Sequence, residues 1–163
     1  MPVCSKCNKE FDISKLEKID GDFVCHSCLY LDFKPFKIFP IGFVENELEK
    51  GQGFGLKGNK NEISKIHLFK TQRPFLFKLE DEKWITIVYY FHKTTHIHSV
   101  FSRGIDGKKV GVFASRTPYR LSRIGVSNVE LVKIEGTTLY VKGFDAINGS
   151  PILDIKLGTK SKW

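Results

Sequence analysis

The sequence predicts a mostly β protein, an antiparallel barrel or closed sheet preceded by a small cysteine-bearing module. Three observations carry that expectation. From residue 63 onward, short segments rich in β-branched and aromatic residues follow one another, separated by charged or Gly-containing turns. The G-x-G-x-x-G turn and alternating βαβ units of a doubly wound nucleotide fold do not occur. All four cysteines stand within the first 28 residues.

The cysteines come as Cys4-Ser-Lys-Cys7 and Cys25-His-Ser-Cys28, with 17 residues between the pairs. That spacing matches a four-thiolate zinc site, whose C-x2-C pairs are separated by roughly 15 to 20 residues. Each pair forms a knuckle that aims two thiolates at one ion, and two pairs close a tetrahedron with no position left for water. Cys4, Cys7, Cys25 and Cys28 are therefore the expected ligands of a structural zinc, with His26 read as exposed. Disulfides are the competing reading, disfavoured in a chain with no secretory signal. Phe11, Ile13, Leu16, Ile19, Phe23 and Val24 suffice for a hairpin-like cap but not for an independent core. The metal should therefore supply most of the folding free energy of residues 1–34, on the order of 10 kcal/mol or more.

A chain of 163 residues holds one good core and one small extra module. No apolar run approaches the roughly 18 residues needed to span a bilayer, so the protein is expected to be soluble, cytoplasmic and not membrane-bound. The formal charge of +8 favours a polyanionic partner. Residues 1–40 hold six Lys and six acidic residues, which places the whole excess in residues 41–163. An electrostatic nucleic-acid surface is expected on the larger domain, residues 35–163.

Within that domain, Pro35 and Pro40 interrupt a linker that runs into a first strand near 41–44. The stretch ELEKGQGFGLKGNKNE carries four of the chain's fourteen glycines and reads as a flexible loop. ISKIHLF, PFLFKL, WITIVYYFH, HIHSVF, VGVFAS, NVELVKIEG, TLYVKGF and PILDIKL then read as strands, with a helix over 61–69 or 126–131 as the alternative.

Three polar clusters interrupt the strands. GVFASRTPYRLSRIGVS, residues 111–127, sets Arg116, Arg120 and Arg123 among Pro118, Tyr119 and Gly125. Guanidinium forks on an ordered turn can hold carboxylate or phosphate, and Tyr119 can stack on a base; a solvated basic turn is the bland alternative. GFDAINGSPILDIKL forms a turn through Asp145, Asn148 and Gly149, followed by a strand on which Asp154 and Lys156 share a face. FHKTTHIHS brings His92, His96 and His98 close in sequence without a carboxylate among them, which argues against a second metal.

These motifs resemble the TsaA-like, or TrmO, family of S-adenosylmethionine-dependent tRNA methyltransferases. The family pattern GVFATRSPxRPNPIGLS stands here as GVFASRTPYRLSRIGVS, and its DxxDGTPxLDIKPY run as DAINGSPILDIKL. IGFVEN, ISKIHLF and WITIVYYFHK are similar to its opening, middle and FH-terminated segments. The resemblance covers residues 38–157 and excludes the cysteine module. It implies a β-barrel methyltransferase that binds S-adenosylmethionine near a homodimer interface and methylates N6-threonylcarbamoyladenosine in the tRNA anticodon loop. Another RNA or small-molecule acceptor, or a non-catalytic RNA-binding zinc protein on the same barrel, are the alternatives.

Carried over position by position, the resemblance implies that His92, Lys93, Arg116, Val126, Asp145, Ala146, Ile147 and Asn148 contact the cofactor. Tyr119, Arg120 and Asp154 become candidate catalytic residues, and Arg123 and Lys156 candidate substrate contacts. Three departures stand out. The P-N-P after Arg120 is Leu121-Ser122-Arg123, the second acid of the turn is Asn148, and the Gly-rich stretch lacks the family's P-x-Q strand.

Overall fold

The computed structural model of the protein describes residues 1–48 and 62–160. The glycine-rich stretch around 51–58 lies outside the described residues. Two compact units are present, one formed by Met1–Lys37 with Thr94–Arg123, the other by Ile38–Lys93 with Ile124–Trp163.

The first unit opens with the four-cysteine module. Strands β1 (Leu16–Ile19) and β2 (Asp22–Cys25) form an antiparallel hairpin. Its two-residue loop is Asp20-Gly21, with φ of 51° and 96°. Positive φ at both positions matches the right-handed twist of the flanking strands, which is why Asp-Gly is favoured there. A short helix, α1 (His26–Tyr30), follows. Cys4, Leu16, Val24 and Cys25 form the buried centre of this module, too little apolar surface to fold unaided. The rest of the unit carries a two-stranded sheet of β6 (Val100–Ser102) and β7 (Lys109–Gly111). Ile97 extends the hairpin by a parallel bridge to Ile19.

The second unit is a closed antiparallel barrel. Its strands are β3 (Gly42–Glu45), β4 (Ile63–Leu68), β5 (Trp84–Tyr90), β8 (Ile124–Glu135), β9 (Thr138–Lys142) and β10 (Pro151–Leu157). They run around the barrel in the order β10-β3-β4-β9-β8-β5. Alternation places Ile85, Ile87 and Tyr89 of β5 inside, with Val129 and Leu131 of β8, Leu139 and Val141 of β9 and Ile152 of β10. Closure gives every barrel strand a neighbour on both sides, which suits a chain with so many β-branched residues.

The structure thus has the expected fold class, with local corrections. Residues 63–68 and 126–131 are strand, not helix. PFLFKL, expected as a strand, ends one 3-10 helix (Lys70–Leu76), turns at 77–78 and starts another (Leu79–Asp81). Pro74 cannot donate to a ladder, and the alternation in this stretch buries only Leu76, leaving Phe75 and Phe77 79% and 82% exposed. In HIHSVF and VGVFAS only the ends pair as β6 and β7, and Val112–Ala114 turns into a 3-10 helix.

Candidate functional site

One end of the barrel gathers the polar residues of the second unit. At this end β5 finishes, β8 begins, β9 finishes and β10 begins, so the 143–150 turn stands over the barrel mouth. Tyr89 and Gly125 are direct partners across β5 and β8. A Cβ on Gly125 would lie 2.5 Å from Tyr89 Cζ and 2.7 Å from Phe91 Cζ, so only glycine lets the ring pass. Tyr89 then packs edge-on against Phe91 and Phe144, and its hydroxyl donates to Asp145 Oδ1 at 3.1 Å. Ser127, on the same inward row of β8, donates to the same oxygen at 2.8 Å. Both donors act on Oδ1 of a carboxylate that belongs to an exposed residue.

The remainder of the turn is held from below. Ala146 and Ile147 are buried, at 2% and 5% exposure. Ser150 donates its hydroxyl to the Ile147 carbonyl at 2.6 Å. Asn148 Oδ1 accepts the Asn46 N–H at 3.1 Å, and its own N–H donates to Leu48 O at 2.9 Å. The residue that departs from the family acid is thereby one tie between the turn and the segment after β3, beside Asn46 Nδ2 donating to Ala146 O at 2.7 Å. A carboxylate there could accept the same N–H, so the amide is not required by this contact.

His92 follows β5 beside the same turn. Its Nδ1 is buried and has no hydrogen-bond partner among the described residues. Burial, with the Lys93 charge second, pushes its pKa below the usual imidazole range, so the neutral ring prevails. Gly149, at φ +82°, leaves open the place where a Cβ would stand 3.6 Å from His92 Nε2. A buried imidazole nitrogen with no partner among the described residues and an exposed carboxylate make this turn the candidate polar site of the barrel.

Val126, Asp154 and Lys156 stand elsewhere. Val126 and Asp154 both pair with Val88, on the outward row of the barrel. Asp154 ion-pairs with Lys156 at 2.7 Å. An exposed pair of this kind contributes little, about 0 to 1 kcal/mol.

The arginines lie in the first unit. Arg120 directs its guanidinium into the turn itself, donating to the carbonyls of Thr117 at 2.8 Å, Ser115 at 2.6 Å and Val112 at 3.2 Å. Burial, and then the neighbouring Arg116 charge, lower its pKa. Arg120 is thus a fastener of the turn, while Arg116 is exposed on it. Tyr119 stacks on His96 at 4.9 Å, with His98 edge-on at 5.0 Å. Arg123 meets Glu17 of β1 at 2.8 Å.

The cysteines Cys4, Cys7, Cys25 and Cys28 are unpaired thiols whose sulfurs all lie within 4.8 Å of one another. Cys7 and Cys25 are 3.9 Å apart, close to the roughly 3.8 Å set by a tetrahedral ion with Zn–S bonds of about 2.3 Å. Burial pushes the Cys4 thiol up, but backbone N–H groups of Cys25, Cys7 and Lys6 outweigh it and bring Cys4 down to about 6. The hydrogen bond with Cys25 leads the effects that push Cys28 up to about 12. Four sulfurs this close together form a donor set that fits a soft four-coordinate metal.

Fold and candidate site together define a closed β-barrel protein with polar residues gathered at one barrel mouth and no Rossmann sheet among the described residues. Residues 51–159 match the family model of the tRNA-methyltransferase O N-terminal domain. The probable S-adenosyl-L-methionine-binding protein of Methanothermobacter thermautotrophicus is 34% identical over 122 residues, 74% of this chain and 88% of that protein. The tRNA (adenine(37)-N6)-methyltransferase of Mus musculus is 37% identical over 93 residues, 55% of this chain. This chain covers only 22% of that mouse protein. A crystal structure of TrmO superposes with a TM-score of 0.65 at 25% identity, over 77% of this chain and 58% of that one. The chain belongs to the tRNA-methyltransferase O family.

Sequence reasoning missed Tyr89, Gly125 as a site residue, Ser127 and Asn46. Gly125 carried a signal, since a glycine inside a strand marks close approach. The other three depend on cross-strand partners that a linear reading does not reveal.

Proposed function

We propose that this chain is an S-adenosylmethionine-dependent methyltransferase that acts on adenine 37 of tRNA at N6. The finer acceptor is N6-threonylcarbamoyladenosine in the anticodon loop. The observation that carries the reading is Asp145, an exposed residue whose carboxylate is fixed through one oxygen by Tyr89 and Ser127. Membership of the family, the tRNA (adenine(37)-N6)-methyltransferase of mouse and the probable S-adenosyl-L-methionine-binding protein of the archaeon support it.

When bound, the sulfonium of the cofactor supplies an electrophilic methyl group. Transfer is an in-line displacement, so the chain has to align the groups and exclude water. Asp145 accepts hydrogen bonds from a ribose diol, and the backbone of Ala146 and Ile147 with Asn148 lines the same turn. Neutral His92 meets the ligand without adding charge, with Lys93 beside it. Arg116 offers a fork to a carboxylate or phosphate, and Tyr119 belongs to the aromatic surface that receives a base. Arg120 keeps Arg116 and Tyr119 in place. Val126, Asp154 and Lys156 belong to the barrel wall, where they support the site.

The metal is zinc, held by the four cysteines, and residues 1–34 act as a module in front of the domain over 35–163. The protein works in a reducing compartment, the cytoplasm, a reading supported by four cysteines that form no disulfide. The active form is a homodimer, which sedimentation of the purified chain tests. Calorimetric titration tests the cofactor: no binding up to millimolar S-adenosylmethionine rejects the enzyme and leaves an RNA-binding barrel. Mass spectrometry of tRNA nucleosides from a deletion strain tests the acceptor, and unchanged methylated threonylcarbamoyladenosine rejects it.

A further inference from the structure

The turn that presents Arg116 and Tyr119 is held from the four-cysteine module by two routes. The first runs through Arg123. Its guanidinium meets Glu17 of β1 as a fork, Nη2 to Oε2 at 2.8 Å and Nη1 to Oε1 at 3.5 Å. Both side chains are only 17% exposed. The same guanidinium donates from Nε to Thr94 O at 3.4 Å and from Nη1 to Leu121 O at 3.3 Å. One side chain therefore joins the hairpin to both ends of the segment over Thr94–Arg123.

The second route is a short ladder. Ile97 N–H donates to Lys18 O and Asp20 N–H donates to Ile97 O, each at 2.9 Å. The Asp20 carboxylate accepts the Ser99 N–H at 2.9 Å and the Ser99 hydroxyl. Between these, His98 N–H donates to Tyr119 O at 3.1 Å and the His96 ring stacks on Tyr119. From the hairpin the connection passes to 97–99 and on to Tyr119.

The backbone of Arg123 explains why support is needed. Its φ is +51°, a region that side-chain-bearing residues rarely occupy and that a proline, fixed near −65°, cannot enter. Where the family pattern has two prolines to stiffen this turn, the present chain has Leu121-Ser122-Arg123 and a buried-edge ion pair. A bidentate, partly desolvated Arg–carboxylate pair is among the stronger and more directional polar contacts.

We propose that Glu17 and Arg123 are positioning residues through which the four-cysteine module orders the arginine turn for its ligand. The module's role is then to replace the rigidity that the missing prolines do not supply. The proposal rests on the methyltransferase reading for the ligand, but not for the coupling.

The test uses the zinc-loaded full chain carrying Glu17→Gln, Arg123→Gly, or Glu17→Arg combined with Arg123→Glu. Arg123→Gly removes the fork while suiting a positive φ, so loss of backbone fit does not confuse the result. Hydrogen exchange should accelerate about tenfold or more over 97–99 and 112–123 in Glu17→Gln and Arg123→Gly, with the barrel strands unchanged. kcat/KM for tRNA should fall roughly tenfold to a hundredfold in both, as expected when binding groups are misplaced by about an ångström. The double charge reversal should recover much of both losses. Unchanged exchange in the turn overturns the coupling. Faster exchange with unchanged kcat/KM overturns its role in the reaction. A wild-type chain that does not methylate tRNA removes the proposed function, and the exchange measurement still decides the coupling.

Discussion

Tyr89 and Gly125 face one another across β5 and β8, and the Tyr89 ring occupies the place where a Gly125 side chain would begin, 2.5 Å away. That contact sets the height at which the Tyr89 hydroxyl reaches Asp145. Gly125→Ala forces the ring aside in a closed, well-packed barrel, and overpacking of this kind costs about 1 to 3 kcal/mol. Thermal melting should show the lower stability. Calorimetry should show weaker S-adenosylmethionine binding; binding at wild-type affinity would mean that Asp145 does not depend on this ring.

Tyr89→Phe separates the two roles of the same residue. The ring remains over Gly125 and between Phe91 and Phe144, so the fold should melt within a few degrees of wild type. Asp145 loses one of its two donors. A hydrogen bond to a charged group contributes about 1.5 kcal/mol or more, so cofactor affinity should fall roughly tenfold. Asp145→Ala should weaken binding further, because the carboxylate itself disappears. Equal affinities in wild type, Tyr89→Phe and Asp145→Ala would remove Asp145 from the site.

The contrast between legible and hidden features follows from the range of the contacts. Trp84–Tyr90 shows the alternation of a half-buried strand in its own residues, and the spacing of the Cys pairs signals that the four sulfurs cluster. PILDIKL coincides with β10. Arg123 gave no local sign of its partner, since Glu17 lies 106 positions earlier in the chain. Nor does Ile97 announce its bridge to Ile19, because neither segment has a pattern that names the other. PFLFKL shows the opposite failure: a convincing apolar alternation overruled by Pro74 and by two phenylalanines left exposed. Asn148 reads in isolation as a weakened acid, whereas its amide oxygen is occupied by the Asn46 backbone.

Arg116 and Arg120 should respond differently to the same truncation. Arg116 is exposed on the turn, so Arg116→Ala should lower affinity for cofactor or tRNA while the melting midpoint stays within a few degrees. Arg120 donates to three carbonyls, and Arg120→Ala leaves them without charged donors in a half-buried turn. Loss of such contacts costs about 1 to 3 kcal/mol. A collapse in stability for Arg116→Ala, with Arg120→Ala neutral, would reverse the two assignments.

Metal analysis of the purified chain should give one zinc per polypeptide. Cys28→Ser alters the most exposed of the four ligands and leaves the buried centre of Cys4, Leu16, Val24 and Cys25 intact. It should nevertheless release the metal to a competing chelator far more readily, because a four-thiolate site has no spare ligand. Stripping the metal should unfold the module, seen as rapid proteolysis within 1–34, since its apolar centre is too small to hold it. A metal-free chain resistant to protease there would show that hairpin and helix stand without the ion.

His92 predicts a pH dependence with a definite sign. Burial lowers its pKa in the folded protein relative to the unfolded chain, where imidazole titrates near 6.5. Between the two values the unfolded state binds more protons, so stability rises with pH through that window. The contribution is therefore most favourable above about pH 6.5 and is lost on acidification through the lowered folded-state value. Melting midpoints of the zinc-loaded protein should fall between pH 7.5 and pH 5, and His92→Gln should reduce that fall because glutamine carries no proton to gain. S-adenosylmethionine affinity should weaken over the same interval, as a charged ring replaces the neutral one beside Gly149. Identical pH profiles for wild type and His92→Gln, in both melting and binding, would show that the buried Nδ1 takes no part in either.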